Sequence, residues 1–223
     1  MGSKPQRVET PVAGLPAIKR HIATHDAAGT SVYVASPPPQ QYIRIPGTGG
    51  VARSWSVGSV PAKLEGDADM KAYLAEDGAT SWTHPAIVTP NGVNALVVDL
   101  EPGGVSDMHR TVSIDFSICV IGEILHELDG GETVLLKPGL LIESHSHMAI
   151  ALTTADSARC AQDHIVQRGT NHKWRNASKT EPARFIGVTL SCEPFDIAGK
   201  QLQEKFAGDT FADAAKGKSA SNL

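Results

Sequence analysis

Cysteine is scarce in this chain, with only Cys119, Cys160 and Cys192 among 223 residues. An odd number at wide spacing excludes a disulfide scaffold and a zinc knuckle, so the three read as reduced, mostly buried thiols. No excess of charge of one sign is present either: the formal net charge is −4 and the pI near 6.1. A nucleic-acid backbone and an anionic membrane surface are therefore excluded as first partners, and a small-molecule partner is expected. No run approaches the ~20 apolar residues of a membrane helix, and the opening segment has no apolar core of an export signal. A cytoplasmic location is the resulting expectation.

With 41% hydrophobic and 20% charged residues, the chain can bury one sizeable core. Residues 1–28 are mixed and polar, with a helix-like patch from Leu15 to Thr24, and read as a flexible lead-in. From there to about residue 200 the texture is that of one β domain. SVYVAS and QYIRIP flank Pro37 to Pro39 as arm strands around a stiff turn. DADMKAYLAEDG starts on a capping aspartate and stops at Gly78, the pattern of a short helix. The stretch 92–192 holds short runs rich in Val, Ile, Leu and Phe, broken by Pro-Gly-Gly, Asp-Gly-Gly and Pro-Gly about every ten residues. That cadence predicts an all-β sandwich or barrel and leaves no room for helical crossovers between parallel strands. Residues 201–223 read as an amphipathic helix with a frayed tail.

His109 and Thr111 are two apart, so on an extended strand they share one side of the sheet, and Asp115 has the same parity. His172 lies in a second polar stretch, GTNHKWRN. Two histidines and one carboxylate from different strands can hold Fe(II) with open positions, and related sites take Mn, Ni, Cu or Zn. The competing reading makes His109 and His172 general acid and base, or polar core residues bonded to backbone. Arg168 beside this stretch could orient a carboxylate or phenolate, whereas Arg110 should face away from His109. Gln167 could reach into a cavity, and Trp174, two beyond His172, could stack on an aromatic substrate or fill the core.

The spacing Gly103, five residues, His109-Arg110-Thr111, three residues, Asp115, six residues, Gly122 resembles the first motif of the cupin family. Gly169, His172 and Asn176 fall on the end of the second motif, with Gln167 near its proline. More narrowly, HRTVSIDF followed by LDGGE, LKPG and VQRGTNHKWRN resembles the fungal cupin-domain oxidoreductases of polyketide gene clusters, including those making salicylaldehyde-type products. The resemblance implies a single double-stranded β-helix, or jelly-roll, barrel. It also implies an oxidoreductase acting on a small aromatic or polyketide-derived intermediate, with a divalent metal, foremost Fe(II), on His109, Asp115 and His172. Two departures bear on that metal: Thr111 stands for the second histidine of the motif and Asp115 for its glutamate. The alternatives are a non-redox isomerase, dehydratase or decarboxylase, and a ligand-binding cupin without catalysis. Cupins often pair through sheet edges, and Tyr33 to Ile45 is such an edge, so a homodimer is expected.

Residues 140–162 depart from the family pattern. His145-Ser-His147 within them looks like a metal pair, but no carboxylate motif follows and the surrounding Ser, Ala and Thr argue against a rigid site. The segment is long for a hairpin loop. It reads either as a lid carrying Met148, Ile150 and Leu152 or as a retained intervening sequence, because its removal restores KPGDHIVQRGTNHKW. The second reading predicts that a chain lacking 140–162 melts at or above the temperature of the full chain in a thermal unfolding scan; a large loss would count for the lid.

Overall fold

The computed structural model describes residues 7–8, 11–37, 40–84, 86–139 and 163–206. In chain order the elements are β1 (Arg7–Val8), β2 (Ala23–His25), β3 (Ser31–Tyr33), β4 (Tyr42–Ile45), β5 (Gly49–Val57), α1 (Ala68–Leu74) and β6 (Val93–Leu100). There follow β7 (His109–Arg110), β8 (Ser113–Ile121), β9 (Ile124–Leu128), β10 (Thr133–Leu136), β11 (His164–Arg168), β12 (His172–Asn176) and β13 (Ala183–Ser191). The short β14 (Asp196–Ile197), β15 (Lys200–Gln201) and β16 (Lys205–Phe206) end the described chain. A seven-stranded sheet runs β1-β4-β5-β6-β13-β8-β11 and a five-stranded one β10-β9-β12-β7-β16. This is the all-β architecture that the turn cadence predicts, and β3, β4 and α1 form where the sequence places them.

The core joins the two sheets. Leu100, Cys119, Phe185 and Ala183 from the larger sheet pack with Ile124, Leu136 and Trp174 from the smaller. Motif residues serve this framework first. Gly122 has φ +73°, and a Cβ there would lie 2.8 Å from the Ala183 side chain, so only glycine fits. Gly169, at φ +59°, likewise lies under Leu202. The Asn176 amide donates to the carbonyls of Glu101 and Glu181 at 3.0 and 2.8 Å, which clamps two turns together. Cys119 is buried, and burial pushes its thiol up to about 12, as expected of an inert core cysteine.

Within the lead-in, Val12 to Pro16 pack against the larger sheet. Val12 and Leu15 are buried, and the reason is an ion pair on the outer face of the larger sheet. Arg184 and Asp99 stand opposite each other on β13 and β6, with Nε to Oδ1 at 2.6 Å and Nη2 to Oδ2 at 2.9 Å. Both side chains are at most 2% exposed. The segment supplies the remaining partners: the Pro16 carbonyl accepts from Arg184 at 2.8 Å, and the Val12 amide donates to Asp99 at 3.3 Å. The patch from Leu15 to Thr24 is not helical, because its backbone carbonyls serve this pair and the strand β2. Asp67, at φ 56°, makes no side-chain cap to α1.

The C-terminal expectation changes. The helix predicted over 201–223 gives way at its start to β15 and β16, since Lys205 and Phe206 pair with Arg110 and His109; residues 207–223 lie outside the described residues. Strand β4 is bonded by β5 along its length and by β1 at Tyr42 and Ile43. The segment 140–162, with His145 and His147, lies outside the described residues. The described residues that flank it are joined: the Asp163 amide donates to the Lys137 carbonyl at 3.0 Å, and the Lys137 amide to the Asp163 carboxylate at 2.9 Å.

Removing one member of a buried ion pair leaves the other uncompensated, at a cost of about 3–5 kcal/mol. Asp99→Ala is therefore expected to lose that much stability in urea unfolding, while the double change Asp99→Leu with Arg184→Met recovers most of it.

Candidate active site

The strands around the barrel interior alternate in an unusual sense. On β8 the polar residues Ser113, Asp115 and Ser117 face inward and are buried, while Phe116 and Ile118 are exposed. On β11 Gln167 is 3% exposed and its neighbour Val166 50%. The interior at this end is thus polar by design of the sequence. A cavity of about 60 Å³ opens there. Ile45, Val51, Leu96, Val98, Leu100 and Phe185 form its apolar wall, and His109, Thr111, Asp115, Gln167, His172 and Trp174 its chemical end.

Strand register assembles that end as three facing pairs. His109 on β7 opposes His172 on β12, Asp115 on β8 opposes Gln167 on β11, and His126 on β9 opposes Trp174 on β12. The His109 and His172 rings are 4.2 Å apart between centroids and the His126 and His172 rings 5.2 Å. Trp174 sits edge-on to His126 at 4.7 Å and stacks on Phe185 at 4.4 Å, so it is wall and core together.

The Gln167 carboxamide links these pairs. Its Nε2 lies 3.0 Å from Asp115 Oδ2 and 3.1 Å from His172 Nε2, and its Oε1 lies 2.7 Å from His126 Nε2. An ionised carboxylate only accepts, so the amide NH2 must face Asp115. Its second proton then goes to His172 Nε2, which must carry the lone pair. His172 Nδ1–H accordingly donates to the Thr170 carbonyl at 3.0 Å. The amide oxygen in turn requires a proton on His126 Nε2. His109 Nδ1 donates to the Asp107 carbonyl at 2.7 Å, so Nε2 carries its lone pair. Ser113 Oγ donates to Asp115 Oδ1 at 2.6 Å and is hydrogen-bonded to Thr111 Oγ1 at 2.8 Å.

Burial sets the protonation states. It drives His172 down to about 2, with His109 adding to the effect, and lowers His126. His109 keeps some exposed surface, yet the protein around it also holds its pKa below the ordinary value. Asp115 is raised by burial, against the hydrogen bonds from Ser113, Gln167 and Thr111. All three imidazoles are neutral at physiological pH.

The residues expected from the sequence are brought together with one exception. Arg168 is exposed on β11, where alternation turns it away from Gln167 and the cavity. Arg110 faces away from the cavity, and its Nε donates to the Gln203 carbonyl at 3.1 Å. His126 was not expected; its signal is a histidine at the parity of buried Ile124 in the strand ILHEL. The metal set fits poorly. Among the described residues no three His, Cys, Asp or Glu side chains are grouped to share an ion. Asp115 Oδ2 and His172 Nε2, two atoms a cation would need, share one amide NH2 that has no lone pair to give.

No family model matches the chain. It is similar to the oryzines biosynthesis cluster protein J of Aspergillus oryzae, 33% identical over 205 residues that span 92% of this chain and 96% of that one. It is also similar to the phomopsin biosynthesis cluster protein D of Diaporthe leptostromiformis, 36% identical over 206 residues, 90% and 91% of the two chains. The cupin-domain-containing oxidoreductase srdB of Neurospora crassa is 29% identical over 195 residues, 87% and 84%. Among the described residues no helix is long and apolar enough to cross a membrane.

A histidine held neutral in the fold has a folded pKa below its unfolded value near 6.5, so the unfolded state binds the proton first. Stability is full above that pH and falls as pH drops below it, towards the folded value of about 2 for His172. Between pH 6.5 and 5 the loss from His172 alone is about 2 kcal/mol. Urea unfolding at both pH values is expected to show it, and His172→Gln to show a smaller fall.

Proposed function

The chain belongs to the family of fungal biosynthesis-cluster proteins related to the cupin-domain oxidoreductases, and on that premise we propose that it is an enzyme of secondary metabolism. Its substrate is a small aromatic or polyketide-derived intermediate held in the barrel cavity. The observation that carries this reading is an apolar pocket closed at one end by His109, Thr111, Asp115 and His172. Apolar walls bind the body of such a molecule, and the polar end orients one or two oxygens.

Charge narrows the substrate. Among the described residues lining the cavity none is Arg or Lys, and Asp115 is present. A carboxylate would enter without a cationic partner, at a large desolvation cost. A neutral aldehyde, alcohol or phenol fits, and the substrate-orienting role first drawn for Arg168 falls away. His109 Nε2 is the base: its lone pair is fixed by the Nδ1 hydrogen bond, and its depressed pKa keeps it unprotonated. It takes a proton from a substrate hydroxyl or from carbon beside a carbonyl. Thr111 and Asp115 hold the oxygen end, and His172, locked by Gln167 and Thr170, positions the ring it packs against.

Oxidation and non-redox isomerisation, dehydration or decarboxylation share that proton removal. Oxidoreductase chemistry is supported by the names of the relatives and needs an electron acceptor besides these side chains. The non-redox reading is favoured by the Gln167 bridge, which leaves acid–base groups as the chemistry of the cavity end. Incubation with candidate aldehydes, alcohols and phenols, followed by product mass, separates the two. A product differing by two hydrogens marks oxidation or reduction; one of equal mass, or lacking water or carbon dioxide, marks the other class. His109→Ala is expected to lose about 10²-fold or more in kcat, and undiminished turnover in that variant would sink the assignment.

A further inference from the structure

We propose that Gln167 stands in for a cation: its carboxamide cross-links the histidine–carboxylate cluster by hydrogen bonds and thereby keeps the cavity from binding a divalent metal. The inference rests on the location of the site given above and not on its reaction class. One nitrogen lies 3.0 Å from Asp115 Oδ2 and 3.1 Å from His172 Nε2. A bound cation would draw the same two lone pairs to itself; here two N–H bonds do so. The amide oxygen, the one atom of Gln167 that could ligate a metal, faces the opposite way and accepts from His126 at 2.7 Å. Flipping the amide would bring its oxygen against the Asp115 carboxylate and its NH2 against the His126 N–H, breaking all three bonds at once.

Surrounding groups reinforce the arrangement. Asp115 Oδ1 is taken by Ser113 at 2.6 Å, and Gln167, Asp115 and His172 are all buried, at 3%, 6% and 2% exposure. Recruiting Asp115 and His172 to a metal would strand the Gln167 NH2 without acceptors inside the protein, a penalty charged against every ion that enters. Thr111 occupies the position from which a second histidine could have offset it. Metal exclusion is thus built from Thr111, which departs from the cupin motif, and Gln167, which takes the lone pairs of Asp115 and His172.

Isothermal titration with Zn(II) and Mn(II), with metal analysis of dialysed protein, tests the idea independently of any substrate. The wild-type chain is expected to show no saturable uptake at micromolar metal and to retain none after dialysis. Gln167→Glu keeps the side-chain shape but replaces the NH2 by an acceptor oxygen, and is expected to bind Zn(II) at least tenfold more tightly than wild type. Gln167→Ala, which only frees Asp115 and His172, should gain affinity in the same direction and covers the case in which the glutamate variant fails to fold. Uptake of one equivalent by the wild-type chain, lost in His172→Ala, would overturn the proposal, as would variants that bind no better than wild type.

Discussion

A carboxylate taken out of water must be given hydrogen-bond donors, and Asp115 is the buried carboxylate around which the barrel interior is arranged. Ser113 on its own strand and Gln167 on the next supply them. Once the Gln167 amide is turned to serve Asp115, nothing else in the cluster is free to choose. His172 must present a lone pair, so its other nitrogen must bond a carbonyl; His126 must present a proton. A single electrostatic requirement thus propagates through four side chains on four strands, and it defines which imidazole keeps its lone pair within the wall of the cavity.

What the sequence made legible was local. Short apolar runs and turn dipeptides specify strands because both act within a few residues, and Gly122 and Gly169 are readable because positive φ admits little else. Parity along one strand put His109, Thr111 and Asp115 on one side. Register between strands is the part that spacing cannot encode. His126 lies in a strand that reads as structural and enters the site only because β9 pairs with β12. Gln167 looked like a residue that might touch substrate, and pairing with Asp115 makes it a brace. Arg168 shows the converse: adjacency in sequence to a site residue is, in a strand, a reason to face away from it. The ends of the chain were misjudged for a related reason. The lead-in is polar in composition, but its main-chain groups are what the Arg184–Asp99 pair lacked, and after Phe195 Lys205 and Phe206 pair as a strand where β7 offers an edge.

The polar interior and apolar exterior of β8 reverse the usual arrangement of a half-buried sheet. Such a reversal weakens the local contribution to the core, and the stability is recovered at the other end, where Leu100, Ile124, Trp174 and Phe185 pack densely. The barrel is divided along its axis into a half that holds it together and a half that does chemistry. Trp174 belongs to both, through Phe185 on one side and His126 on the other.

The order in which the chain is made gives the outer ion pair a further property. Pro16 and Arg184 are 168 positions apart, so the N-terminal strap is synthesised first and finds its anchor among the last strands to emerge. Until then Val12 and Leu15 have no site, and Asp99 waits in the centre of a growing sheet without its counter-ion. Contacts this distant close late in folding. The strap is therefore fastened at Pro16 only once Arg184 has emerged, while its first residues are already held through β4.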